Sequence, residues 1–374
     1  MAKERKPSGA VWRASVQAVV AGDAPALGQP RGRVGSVDIL RGIVMIVMAL
    51  DHVRDFVSDS PFNPESADHA PPALFFTRWI THFCAPTFFL LAGMGAGLSP
   101  RPRGELARFL VGRGLWLIFL EFTVVHFAWM FDLVPVRLLV LWALGASMLA
   151  LAGLQFLPRR VLWIIAIAVI AGHNLLDPVE VAFIGRDYGR PAVQLWSILH
   201  VPIAPVLYPL VPWFAVMLLG YLLAPALRHP RALVVVGVAV TAAFVVLRAT
   251  NLYGDPDRFS GPHVLLSFLA TNKYPPSLLF LLMTLGPAMA SLPLLASLDG
   301  TALGGFLAVY GRVPLFFYVV HIYLAHLAGV LLGEHGLPVV YGVWLLVVAI
   351  LYLPCRWFAD LKARRRDLSW LSYL

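Results

Sequence analysis

Residues 36–57 read SVDILRGIVMIVMALDHVRDFV, and this stretch decides the fold class. Most of its side chains suit lipid, yet Asp38, Arg41, Asp51, His52, Arg54 and Asp55 interrupt it. Ionisable groups on a spanning helix are costly, so such a helix turns its charged face to a functional interior of a bundle. At about 100° and 1.5 Å per residue, Arg41 and His52 share one face about 16 Å apart. Asp38 and Asp55 fall within about 60° of the same line, and Arg54 points away. A cation near the inner surface and an imidazole in the outer half make a stripe suited to holding an anionic ligand at one end and moving a proton nearer the other.

The rest of the chain agrees. Of its 374 residues 59% are hydrophobic and only 13% charged, with a mean hydropathy of +0.78. That composition excludes a soluble globular domain and predicts an all-α, polytopic integral membrane helix bundle with ten or eleven spans. Apolar runs lie at 36–57, 74–98, 105–131, 135–157, 160–176, 206–227, 231–249, 277–298, 303–332 and 338–359. The net charge of +9 does not point to nucleic acid, because the basic residues sit in short loops and tails. With the N-terminus inside, the inner connections carry Arg101, Arg103 and Arg108, then Arg159 and Arg160, then Arg228 and Arg231, while the first outer loop, SDSPFNPESADHAPP, has no Lys or Arg. This is the positive-inside pattern. Only the 299–303 connection is silent, which leaves room for an eleventh span or a re-entrant piece. The expected division is a basic, largely disordered cytoplasmic tail over 1–35, a membrane domain over 36–359 and a second basic cytoplasmic tail over 360–374. Cys84 and Cys355 fall at opposite ends of the chain, so neither a disulfide framework nor a cysteine metal site is expected.

Further polar groups recur at related depths. The second span carries Arg78, Thr81 and His82, then Pro86, Gly93 and Gly95, the glycines allowing a neighbour to pack closely. The third carries Arg113 near the inside, Glu121 at mid-depth and His126 further out; a carboxylate at that depth wants a partner such as an imidazole or Arg41. The ninth repeats the pattern with Arg312, His321 and His326. The last two are about 140° apart around the helix and do not make a metal pair. A histidine inside a bundle, His173 included, is most often hydrogen-bonded between helices, and an arginine near the interface often snorkels. His52 stands apart because Asp51 and Asp55 flank it and would orient it. Two outer loops, 177–205 and 250–276, are long enough to be lids or binding elements, the second carrying Asn272, Lys273 and Tyr274 before Pro275 and Pro276. The first equally suits amphipathic segments on the membrane surface.

Four blocks, VDILRGIVMIVMALDHVRDF, FFTRWITHFCAPTFFLLAG, NKYPPSLLFLLMTLGP and GRVPLFFYVVHIYLAH, resemble a bacterial membrane family carrying the heparan-alpha-glucosaminide N-acetyltransferase catalytic domain, over about residues 35–335. The family looks distantly related to the lysosomal acetyltransferase and to the integral-membrane acyltransferases that O-acetylate bacterial polysaccharides; the latter share an Arg and a His eleven apart on the first span, here Arg41 and His52. The lysosomal enzyme has Asn at the position of His52, and its acetyl-accepting His lies before the block matched here by Phe83 to Leu90; His69 stands near that place at a different spacing. The resemblance implies an acetyl-CoA-dependent acyltransferase of the bacterial cytoplasmic membrane, both termini cytoplasmic, that passes acetyl to a sugar or glycan on the far side without a metal. In that reading Arg41, Arg113 and Arg312 hold the CoA phosphates. His52 or His82 deprotonates the acceptor, and the other imidazole or Thr81 hydrogen-bonds the oxyanion. Asp51 or Asp55 holds the tautomer, Glu121 assists, and Arg78, His321, Lys273 and Tyr274 contact substrate. Such a chain works in the bilayer, alone or as a homodimer. The alternatives are a proton-coupled transporter of a small anionic metabolite, disfavoured by the lack of an internal repeat, and a structural or regulatory protein that keeps the fold without the reaction.

Overall fold

A computed structural model describes residues 35–132, 134, 137–179, 187, 189–260, 263–365, 367, 368, 371 and 373. The tail expected at the N-terminus, and part of the stretch beyond Arg365, lie outside these residues. Each of the ten apolar runs forms helix. They are α1 (Gly35–Val57), α2 (Pro72–Gly97), α3 (Arg103–Met130), α4 (Val140–Leu154) and α5 (Arg159–Val179), with a short α6 (Pro191–Leu199) in the loop that follows. Then come α7 (Trp213–Arg228), α8 (Pro230–Thr250), a short α9 (Val264–Leu269), α10 (Leu278–Leu298), α11 (Ala302–Arg312), α12 (Pro314–Leu332) and α13 (Leu337–Arg364). Among the described residues no strand forms, and seven helices are long and apolar enough to cross a membrane. Helices α4 and α7 are shorter, and α1 has the length but carries too many charges to face lipid.

Helix α1 avoids lipid because α2, α10, α11, α12 and α13 pack around it. The tightest of these contacts involves α11. A Cβ added to Gly42 would lie 1.9 Å from the Leu307 carbonyl oxygen, and one added to Gly311 would lie 1.9 Å from that of Asp38. Only glycine lets the two backbones meet so closely, which is how small residues bring helices together in lipid. In the same way Gly93 of α2 rests on Met217 of α7. Gly95, expected to pack too, has nothing within 4 Å of an added Cβ and instead borders a cavity.

The ninth span, expected as one helix over 303–332, is two. The break falls at Val313 (φ −132°, ψ 52°), and Pro314 opens α12. Proline offers no N–H to the preceding turn, and its ring disfavours helical geometry at the residue before it. Helix α11 has 11 residues, about 16 Å, roughly half of a bilayer core. It fills the place that the silent 299–303 connection left open.

The second long loop is built inward around Arg248, at the end of α8 and 2% exposed. Its guanidinium donates to the carbonyls of Asp257 (2.7 Å), Ser267 (2.8 Å), Phe268 (3.1 Å) and Ala270 (2.5 Å). These bonds satisfy a buried cation and loop backbone together.

Candidate active site

The expected trio Arg41, Arg113 and Arg312 does come together, around a cavity of about 300 Å³ at the end of the bundle where α1 begins. Arg101 and Lys362 join them, and none of the described lining residues is acidic. Arg41 is held in place by Asp38 (3.2 Å) and by the Gly311 carbonyl (3.1 Å), so the break before α12 supplies an acceptor that orients the guanidinium. Farther from this basic end the lining becomes apolar, with Met45, Leu117 and Leu315.

A second cavity, of about 330 Å³, adjoins the first, and the side chains of Met48, Phe88, Val140 and Tyr318 line both and form the neck between them. His52 lines this chamber together with Asp51, Asp55, Arg78, Lys273 and Tyr274. Its Nδ1 lies 2.7 Å from Nε2 of His321, and Nδ1 of His321 lies 2.9 Å from the carbonyl oxygen of Phe317. A carbonyl only accepts, so Nδ1 of His321 carries the proton and its Nε2, in the neutral ring, accepts. Nδ1 of His52 is then the donor, and Nε2 of His52 is left with a lone pair. One backbone carbonyl, one helical turn of register and two rings thus fix the tautomer.

The group hydrogen-bonded to His52 is thus the fully buried His321 that stands behind it, and not Asp51 or Asp55. The carboxylates are occupied elsewhere: Asp51 pairs with Arg78 and with Arg54 (2.9 Å), and Asp55 pairs with Arg54 (2.5 Å). Arg54, read from the helical wheel as pointing away, is 6% exposed. Its long side chain reaches back one turn to Asp51, an i,i+3 pairing that a wheel drawn on Cα positions misses.

A third cavity, of about 420 Å³, lies towards the loops and is lined by Glu65, Trp79, His82, Asp257 and Asn272. Arg78 borders both it and the chamber, and joins them: Nη1 bonds Asp51, while Nε (2.8 Å) and Nη2 (2.6 Å) bond Glu65 of the loop between α1 and α2. His82 faces this third cavity, whereas Thr81 faces the chamber. The two imidazoles expected to share one reaction thus border different spaces, with Arg78 between them. His82 Nε2 is 3.5 Å from Glu65 Oε1, and neither ring nitrogen completes a hydrogen bond among the described residues.

Burial would raise the pKa of Glu65, but the His82 ring and the Arg78 guanidinium hold it well below the usual 4.5. Because the folded value is the lower one, the link contributes fully above about pH 4.5 and is lost only as the pH falls through the folded value. Melting temperatures of wild type and Glu65→Gln are expected to differ by a constant amount above about pH 5 and to converge in more acid solution. A gap unchanged at the most acid pH would show that the substitution removed something other than this link.

Other candidates stay outside the chamber. Glu121 is fully buried at a π-helical turn of α3; its Oε2 accepts from the Trp142 backbone N–H (3.0 Å), and among the described residues it bonds neither an imidazole nor Arg41. His326 donates to the Ala128 carbonyl (2.8 Å) and stacks on Phe131, and His173 bonds the Pro276 carbonyl (2.8 Å), both as bonds between segments. Residues unnoticed in the sequence also line the chamber. Trp129 meets His52 edge-on at 4.8 Å, and Tyr318 borders both chamber and vestibule. Tyr318 precedes His321 by one turn, so its placement was available from helical spacing.

A search of the curated proteins gave no match. Over residues 33–257 the chain matches the family described as heparan-alpha-glucosaminide N-acetyltransferase, catalytic. That span holds Arg41, His52, Arg78 and Arg113 and stops before Lys273 and His321. Since more than half of its residues match, the chain belongs to the heparan-alpha-glucosaminide N-acetyltransferase catalytic family.

Proposed function

We propose that this member of a membrane acetyltransferase family moves an acetyl group from cytosolic acetyl-CoA to a hydroxyl or amine of a sugar or glycan on the far side of a cytoplasmic membrane. The CoA phosphates bind at the basic vestibule, where guanidinium groups suit phosphate. The thioester arm passes the neck at Met48 and Tyr318, Met being a pliable side chain, and the acceptor comes from the loop end. The lone pair left on His52 Nε2 by the Phe317–His321–His52 chain is the observation that carries this reading.

His52 Nε2 takes the proton of the acceptor O–H or N–H as the freed electron pair attacks the thioester carbonyl carbon. The carbonyl π pair moves to oxygen. Collapse re-forms C=O and breaks C–S, and the departing sulfur recovers the proton from His52 Nε2, giving the acetylated acceptor and free CoA. A transporter using the same stripe would need no thioester. Protein reconstituted in vesicles is expected to release free thiol from acetyl-CoA only when an acceptor such as glucosamine is added. Uptake of a small anion without any CoA requirement, and no thiol release, would overturn the proposal.

A further inference from the structure

The chamber holds a second chemistry-bearing group, the Lys273 ammonium, which is only 5% exposed. Its loop is fixed from several sides. Asp255 Oδ2 accepts from the Asn272 N–H (3.0 Å) and the Ser277 hydroxyl (2.6 Å), His173 holds the Pro276 carbonyl, and Asn174 holds the Leu278 N–H (2.9 Å). Ser277 then caps α10 by accepting from Phe280 N–H (3.0 Å). The loop is therefore a rigid support, the kind of element on which a reacting group can be preorganised.

Lys273 makes no hydrogen bond or ion pair among the described residues; its Nζ sits 5.1 Å from the centre of the Tyr274 ring. The nearby carboxylates are already engaged: Asp51 by Arg54 and Arg78, Asp55 by Arg54, and Glu65 by Arg78. Asp51, Asp55 and Glu65 balance the charge of Lys273 through space together with that of Arg54 and Arg78, but no acceptor among the described residues meets its N–H groups. Buried donors left unbonded are costly, so this arrangement is suited to an acceptor oxygen that arrives from outside the protein. The donors read from the sequence for that task are not at hand. Thr81 Oγ1 donates to the Arg78 carbonyl (2.7 Å), and His82 borders the third cavity.

We infer that Lys273 is a catalytic residue whose ammonium donates a hydrogen bond to the carbonyl oxygen of the acyl donor as that oxygen becomes an oxyanion. The inference rests on the acetyl transfer proposed above. In the attack step the acceptor forms its bond to the carbonyl carbon and the π pair goes to oxygen beside Nζ. Lys273 keeps its protons throughout, and the pair returns when C–S breaks. The charge is largest in the transition state, so the interaction raises kcat rather than ground-state affinity.

Steady-state CoA release by the full-length protein in nanodiscs, with acetyl-CoA and glucosamine, tests the inference. Lys273→Met is expected to lower kcat about 10²–10³-fold, the cost of losing one oxyanion donor, with both KM values and the melting temperature little changed. Lys273→Arg, which keeps the charge, is expected to recover part of the loss. If the Met variant elutes as aggregate, Lys273→Gln, which keeps a polar head, is assayed instead with the same expectation. An active wild type whose neutral variant turns over equally fast, or shows only a raised KM, overturns this assignment alone. A wild type that releases no CoA overturns the transferase reading and this inference with it.

Discussion

Replacing His52 by alanine is expected to lower kcat by about 10²–10⁴-fold, the range for a positioned general base, while acetyl-CoA binding is retained. Binding survives because the basic vestibule is built from Arg41, Arg113 and Arg312 on three different helices and lies beyond the neck from His52. His321→Ala removes the acceptor that fixes Nδ1 of His52 as the protonated nitrogen, so the ring can rotate or take the wrong tautomer. Its loss in kcat should approach that of His52→Ala. The double variant should then be little worse than either single one, because groups that act as a unit are non-additive. His321→Gln, whose side-chain carbonyl can still accept, is expected to recover part of the rate. Losses that multiply in the double variant would show the two imidazoles acting separately, and full activity in His52→Ala would remove the base assignment.

How much of this could be read from residues alone follows from the range of the interactions. The register of Arg41 and His52 on one face of α1 depends only on helical pitch, and the cluster of arginines at one end follows from their shared depth. Both were legible. The partner of His52 was not, because His321 lies 269 positions away in sequence and only the packing of α12 on α1 brings the rings together. The flanking aspartates misled for a related reason: pattern gives neighbours along the helix, while Arg54 and Arg78 compete for the same carboxylates through long, swinging side chains. The break at Val313 was written locally in the sequence Arg312–Val313–Pro314, yet hydropathy runs through it unchanged. Lys273 could be placed near a binding loop but not inside the chamber, since its position depends on Asp255, His173 and Asn174 pinning that loop from elsewhere in the fold.

The vestibule gives the other large expectation, and it separates the roles of the two ends of the cavity. Arg113→Gln and Arg312→Gln are each expected to weaken CoA binding by about tenfold or more, because a hydrogen bond to a charged group contributes roughly 1.5–3 kcal/mol. The double variant should bind more weakly than either single one, since the groups sit on separate helices, α3 and α11, and losses at groups that share one ligand can depart from a simple product. Arg41→Ala is a less clean variant: it also breaks the bond to the Gly311 carbonyl that ties α1 to the end of α11, so both affinity and melting temperature should fall. Affinity measured by titration calorimetry in detergent should decline with added salt in the wild type and less steeply in the double variant, because screening acts on charges that are no longer there. At saturating acetyl-CoA the two single variants should turn over at close to the wild-type rate, as expected for interactions made equally in the ground and transition states. If CoA binds the double variant as tightly as it binds the wild type, the phosphates do not sit among these guanidinium groups, and the direction in which the thioester enters the chamber must be reversed.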